Sequence, residues 1–142
     1  MEHAGPSYRV RLRGRYVKGL GRSGFFLNME IYKKIFRERL GTEPYPGTLN
    51  IEAEDLEGYE GLRKICPEHE AIGDITLEGK TYGGLYLWRA LIGDTRVLLI
   101  RPYRSSHNPK ILEVVSSEKL VEKHGIREGD RITIDIECYE KP

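Results

Sequence analysis

Apolar and polar positions alternate at once near the start of the chain: Tyr8, Val10, Leu12 and Tyr16 fall between Arg9, Arg11, Arg13 and Arg15. A period of two predicts a half-buried strand with one wet, basic face. Glycines crowd residues 19–24. The spacing then changes to that of a helix, with Asn28 as its N-cap, Ile31, Ile35 and Phe36 on its inner face, and Gly41 as its stop. A short strand is expected over 48–53, after the turn-forming Pro44, Tyr45, Pro46 and Gly47. The acidic stretch 52–70, broken by Gly58, Gly61 and Pro67, reads as loop with one helical turn. Runs at 82–92 and 95–101 are β-rich and separated by Gly93 and Asp94, the two-residue spacing of a tight hairpin. A strand over 110–115 follows, then a short helix capped by Ser116 or Ser117 and ended near His124 by Gly125. In the last strand Ile132, Ile134, Ile136 and Cys138 alternate with Thr133, Asp135, Glu137 and Tyr139. Six or seven strands against two short helices, joined largely as sequential hairpins, predict a mainly β fold built as a small closed barrel.

Length supports one core: 142 residues are expected to form a single domain, 1–142, that needs no disulfide or metal to hold it. The two cysteines, Cys66 and Cys138, are far apart in sequence and are expected to be reduced thiols of a cytoplasmic protein. No apolar run reaches the roughly 18 residues of a membrane span, and the first residues lack a signal peptide's apolar core. With 23 Lys and Arg against 22 Asp and Glu, no strong net field draws the chain to nucleic acid or to an anionic membrane. Glutamine is absent and Asn occurs only at 28, 50 and 108, a depletion that fits a thermophilic source.

Four motifs carry candidate chemistry. Gly19-Leu20-Gly21-Arg22-Ser23-Gly24 is a literal G-x-G-x-x-G after a strand, with Glu43 at a distance that fits a ribose contact. The strand before it alternates with arginines, its helix starts late and no βαβ unit follows, so a dinucleotide fold is disfavoured. Phe25 and Phe26 stand where a P-loop requires Lys and Ser or Thr. A turn without a ligand and an anion-binding loop whose charge is supplemented by Arg22 both remain open. In the Pro46-Gly47-Thr48-Leu49-Asn50 segment, an extended backbone puts Thr48 and Asn50 on one face. Two neutral oxygens side by side suit Mg²⁺, which keeps waters and leans on substrate phosphates; a plain wet strand face has the same pattern. The loop from Arg101 to His107 is basic and hydroxyl-rich. Glu113 lies in a strand apolar on both faces and therefore belongs at a site, an edge or a barrel mouth. Cys66-Pro67-Glu68-His69 has C-x-x-H spacing but no second ligand pair to complete a zinc site.

Together these segments resemble the archaeal-type riboflavin kinases that use CTP as phosphate donor. The likeness runs over GLGRSGFFLN at 19–28, EPYPGTLNIE at 43–52, RPYRSSH at 101–107, ILEVVSSEKL at 111–120 and GIREGDRITIDI at 125–136. The resemblance implies a six-stranded cradle-loop barrel that phosphorylates riboflavin to FMN and releases CDP. It implies nucleotide contacts from Leu20, Gly21, Arg22, Ser23, Gly24 and Phe25, and from Glu118, Lys119, Leu120 and Val121. Mg²⁺ would be held by Thr48 and Asn50. Ser105 and Glu113 would contact the flavin, with Glu113 orienting the substrate or taking its proton. The family's glycine loop commonly reads GLGEG where this chain has Arg22-Ser23-Gly24, and its basic loop usually carries Thr where Ser105 stands. The implied partners are riboflavin, FMN, CTP and CDP, with no nucleic acid and no membrane, acting on a monomer.

Two other classes stay open. Lys119, Leu120, His124, Gly125, Ile126, Gly129 and Asp130, followed by an alternating strand, also resemble small swapped-hairpin transcription factors of barrel-like topology, which bind DNA without catalysis. A dinucleotide-dependent oxidoreductase is the third, and the β-rich pattern speaks against it.

Overall fold

The computed structural model describes residues 5–18, 27, 29–103 and 108–139. Among these, nine strands and three helices follow one another: β1 (Tyr8–Tyr16), α1 (Glu30–Leu40), β2 (Leu49–Ala53), α2 (Tyr59–Ile65), β3 (Glu70–Ile72), β4 (Ile75–Leu77), β5 (Lys80–Tyr82), β6 (Leu85–Ile92), β7 (Thr95–Pro102), β8 (Ile111–Val115), α3 (Leu120–Lys123) and β9 (Arg131–Cys138). The main sheet runs β3-β6-β7-β8-β2-β1-β9, and a second pairing of β6 with β9 closes β6-β7-β8-β2-β1-β9 into an antiparallel barrel of six strands. β3 pairs with the first half of β6, at Leu85 to Leu87, whereas β9 pairs with its second half at Ala90 and Leu91. β4 and β5 form a separate two-stranded ribbon.

Apolar patterning explains which strands are covered on one face and which on both. In β1 and β9 the inward residues Leu12, Ile132, Ile134 and Ile136 are buried while the arginines of β1 stay exposed. β7 is apolar without interruption from Val97 to Ile100, as a strand covered on both faces must be. Val97 and Leu99 join Trp88, Leu112 and Val114 in the barrel interior. Leu98 and Ile100 turn outward with Leu85, Leu87 and Val115 against Tyr32, Ile35 and Phe36 of α1. The hairpin between β6 and β7 pairs Ile92 with Thr95 around Gly93, whose φ of 61° supplies the turn.

The helix boundaries follow the sequence in part. Gly41 ends α1, its N–H donating to the Arg37 carbonyl. Met29, not Asn28, is the N-cap, and it makes no side-chain bond; Asn28 lies outside the described residues. Ile31 is only half-buried, and Tyr32 takes its place on the inner face. In the 52–70 stretch the expected helical turn is the two-turn helix α2, which makes three helices among the described residues. Tyr59, Leu62 and Cys66 sit at i, i+3 and i+7, all buried, and this short amphipathic face was masked by Gly58 and Gly61. Ser116 does not cap α3: the N-cap is Lys119, while Ser116 Oγ accepts from the Glu118 N–H at 3.1 Å.

The expectation of two reduced thiols is overturned. Cys66 and Cys138 form a disulfide, with Cα atoms 5.3 Å apart across 72 residues of sequence. The fold places the residue after α2 beside the end of β9, a proximity that sequence distance conceals. The same end of α2 is held twice more: Tyr8 donates to the Ile65 carbonyl at 2.6 Å and Trp88 Nε1 donates to the Cys66 carbonyl at 2.8 Å.

Beside it, Arg39 of α1 grips Glu70 of β3 through two bonds of 2.8 and 2.7 Å, which hold the Glu70 carboxyl below its ordinary range. Burial, then the nearby positive charge of Arg89, holds the His69 imidazole below its ordinary value. Both depressions have one sign for stability. As pH falls through about 6.5, the unfolded chain takes up a proton at His69 that the folded protein resists, so stability drops. The Glu70 contribution persists above the ordinary carboxylate pKa and is lost as pH falls through its lower folded value. Melting temperature is therefore expected to fall between pH 7 and pH 5. His69→Phe, which keeps a ring against Tyr139 (centroids 4.4 Å apart), should flatten that fall; an equal fall in the variant would dismiss His69 as its source.

Candidate active site

The first strand pair to consider is β2 with β8. Leu49 and Ile51 point into the barrel, so Asn50 between them points outward. Its register partner on β8 is Glu113, and Glu113 in turn pairs with Ile100 on β7. Leu112 and Val114 occupy the interior, so Glu113 faces outward beside Asn50. Glu113 thus sits in the middle of the barrel wall and not on an edge strand.

Asn50 is only 6% exposed, which removes the reading of a plain wet face. Thr48 Oγ1 donates to Asn50 Oδ1 at 3.3 Å, and the Asn50 carbonyl accepts from the Val17 N–H at 3.0 Å. The backbone bond ties β2 to the residue that leads into the glycine-rich segment. The 3.3 Å between the two side-chain oxygens is close to the roughly 3 Å separating neighbouring ligands of an octahedral ion with 2.1 Å bonds. Two neutral oxygens with a carboxylate on the adjoining strand fit Mg²⁺, which prefers few protein ligands and retains waters. Among the described residues no cluster of three or more His, Cys, Asp or Glu offers a competing metal site.

Thr48 also lines a cleft of about 200 Å³ at one end of the barrel. Its walls are Tyr16 and Tyr45 on one side and Glu118, Lys119, Leu120 and Val121 on the other. Ser116, 2% exposed, joins the walls: its carbonyl accepts from the Tyr45 N–H at 2.7 Å while its hydroxyl accepts from the Glu118 N–H. The charged side chains of this segment are engaged locally, Glu118 with Lys123 at 2.7 Å and Lys119 with Glu122 at 3.2 Å. Leu120 is buried in the core.

Thr48 and the 118–121 segment thus line one cleft, and Asn50 pairs with Glu113 across the adjoining strands, although 48–50 and 113–121 are far apart in sequence. Leu20, Gly21, Arg22, Ser23, Gly24 and Phe25 lie outside the described residues, as do Ser105, Arg104 and His107. Glu43, the candidate ribose contact, is instead ion-paired with Arg37. His69 is stacked on Tyr139, and Cys66 is in the disulfide, which ends the C-x-x-H reading. Sequence reasoning missed Tyr59: buried at 3%, its hydroxyl donates to the Ile100 carbonyl and accepts from the Glu113 N–H at 2.8 Å. The helical spacing of Tyr59, Leu62 and Cys66 was the available signal.

The basic face of β1 bears on the DNA-binding alternative. Arg9 and Arg11 pair with Glu137 and Asp135 of the neighbouring β9, and Arg131 with Glu54. Two of the four β1 arginines, and Arg131 of the adjoining β9, are thus laced with carboxylates, unlike a face built to neutralise a phosphate backbone. No helix among the described residues is long and apolar enough to cross a membrane.

The chain is similar to known proteins over most of its length. The family model of the CTP-dependent riboflavin kinase domain, described as a domain of unknown function, DUF120, matches residues 16–136. A riboflavin kinase of Methanocella arvoryzae is 35% identical over 128 residues, covering 89% of this chain and 56% of that protein. One of Pyrobaculum islandicum is 35% identical over 132 residues (89% and 60%), and one of Archaeoglobus fulgidus 31% over 127 residues (89% and 54%). The chain spans a little over half the length of these curated relatives. Because the matched region takes in most of the chain, including β2, β8 and the 118–121 segment, the chain belongs to the CTP-dependent riboflavin kinase family.

Proposed function

We propose that this chain is a single catalytic domain that transfers the γ-phosphate of CTP to the 5′-hydroxyl of riboflavin, giving FMN and CDP. The observation that carries the reading is the Thr48–Asn50 oxygen pair set opposite Glu113 and opening toward the 118–121 cleft. Phosphoryl transfer has a loose transition state, so the protein's task is to position two substrates and balance charge. Thr48 and Asn50 would hold Mg²⁺, which when bound would supply positive charge beside the donor's phosphates.

The chain's own residues do the rest. The cleft between the two tyrosines and the 118–121 backbone takes the nucleotide, with its base against backbone groups that distinguish cytosine from adenine by their hydrogen-bonding pattern. Leu20, Gly21, Arg22, Ser23, Gly24 and Phe25 contribute amides, and Arg22 a charge, to the phosphates. Ser105 and Glu113 hold riboflavin, and the Glu113 carboxylate accepts from the 5′-hydroxyl and so aims it at the γ-phosphorus. Relatives named riboflavin kinase support the acceptor, and the family to which the chain belongs supports the donor.

The test is an assay with riboflavin, Mg²⁺ and either CTP or ATP, separating FMN from riboflavin by chromatography. FMN is expected with CTP and little with ATP. FMN from ATP alone would overturn the donor assignment, and no FMN with either nucleotide would overturn the kinase reading.

A further inference from the structure

Strands β7 and β8 are the two stems of the basic loop that carries Ser105, and α2 begins between them. Ile100 and Glu113 are register partners there, a position where the Glu113 N–H and the Ile100 carbonyl would ordinarily meet. The Tyr59 hydroxyl joins both groups, donating to the carbonyl and accepting from the N–H. The ladder rung is thus braced by a side chain from another element, whose length bears on the spacing there.

The rest of the first turn of α2 holds the same stems. The Tyr59 N–H donates to the Pro109 carbonyl at 3.0 Å, at the foot of β8. Gly58 lies so close that a Cβ there would come within 1.9 Å of that carbonyl oxygen, and its φ of 68° is one that side-chain-bearing residues rarely adopt. From the other stem, the Arg101 guanidinium lies 5.0 Å from the Tyr59 ring centre. Burial keeps the phenol protonated far above its ordinary range, so the donor is always present. The far end of α2 is fixed by the disulfide, so the helix does not yield when the loop stems pull on it.

We propose that Tyr59 is a positioning residue for the acceptor substrate: its hydroxyl, serving as a rung between Ile100 and Glu113, sets the spacing of the two loop stems and thereby where the Glu113 carboxylate stands. This rests on the reading of the chain as a riboflavin kinase. Removing the hydroxyl takes one hydrogen bond from each of two backbone groups, and the stems re-space as those groups re-pair. That movement displaces Glu113, whereas neither Tyr59 nor Glu113 lines the nucleotide cleft.

Tyr59→Phe tests this. The wild-type protein is assayed first for riboflavin binding, by quenching of flavin fluorescence, and for FMN formation. The variant is then expected to raise KM and Kd for riboflavin about tenfold, with KM for CTP within about twofold of wild type and the protein folded at the assay temperature. A purely structural role would lower the melting temperature without splitting the two KM values. Wild-type protein that neither binds riboflavin nor forms FMN overturns the kinase reading and this proposal with it. An active wild type whose Tyr59→Phe variant keeps the riboflavin KM overturns the positioning role alone. Should the variant not fold, the wild-type amide resonances of Tyr59 and Glu113 carry the test. They are expected to shift on titration with riboflavin, and unmoved signals at saturation would reject the proposal.

Discussion

Thr48→Val is expected to lower turnover about 100-fold and to raise the Mg²⁺ concentration for half-maximal rate about tenfold. The substitution keeps the volume and branching of the side chain and removes only the oxygen. Thr48 sits at the start of β2, where its hydroxyl lies 3.3 Å from the Asn50 oxygen, so the loss falls on the pair and not on the barrel. Asn50→Ala is expected to act in the same direction but with some loss of stability, because Asn50 is buried and its removal leaves a gap in the outer wall. Initial rates over a Mg²⁺ titration, with excess riboflavin and CTP, separate the two effects. Chelation of the metal should abolish turnover in both variants and in the parent. A half-saturating Mg²⁺ concentration that does not move in Thr48→Val would remove Thr48 from the ligand set.

Stability should depend most on the covalent link. Replacing Cys66 and Cys138 together by Ala is expected to cost about 4 kcal/mol, because the bridge closes a loop of 72 residues in the unfolded chain. For a chain of this length that is a fall in melting temperature of about 15 °C. Both sulfurs are fully buried, so reductant should act on the folded protein only slowly, and the scan is best made on the double variant. Thiol titration of the parent in denaturant should find no free thiol. Two titratable thiols, or a melting temperature within 3 °C or so of the parent's, would show that the link is absent or without consequence.

These two expectations draw on different kinds of information, and sequence supplied one more readily than the other. The Thr48–Asn50 pair is adjacent along one strand, so an alternation of two brings its oxygens together without reference to the rest of the fold. β9 and the Gly93–Asp94 hairpin were legible for the same reason: each is specified by neighbours within ten residues. Glu113 could be marked as unusual, because an acid among Ile111, Leu112, Val114 and Val115 conflicts with its surroundings. Its partner Asn50 could not be named, since the pairing of β2 with β8 is a property of barrel closure.

The disulfide and α2 were illegible for a related reason. Compartment and spacing argued for free thiols, whereas what joins Cys66 to Cys138 is the return of the chain to the same end of the barrel. The short strands β3, β4 and β5 have three residues each, too few for any periodicity to register. Tyr59 shows the limit most plainly. Its spacing with Leu62 and Cys66 hints at burial, but nothing local points to its role, because its hydroxyl's two partners come from strands 41 and 54 positions away.

The divided edge of β6 also governs the order in which the molecule is made. Of that strand Ala90 and Leu91 are the register partners of β9, and the other side of β9 lies along β1, joining residues as far apart as Tyr8 and Cys138. As the nascent chain emerges, β6, β7 and β8 can assemble as neighbours. β1 cannot find its second partner until the last strand has been synthesised. High contact order of this kind slows folding, and until it is complete β1 and β6 both present open edges. The wall that bears Asn50 and Glu113 can thus form early, while the enclosure behind it waits for β9.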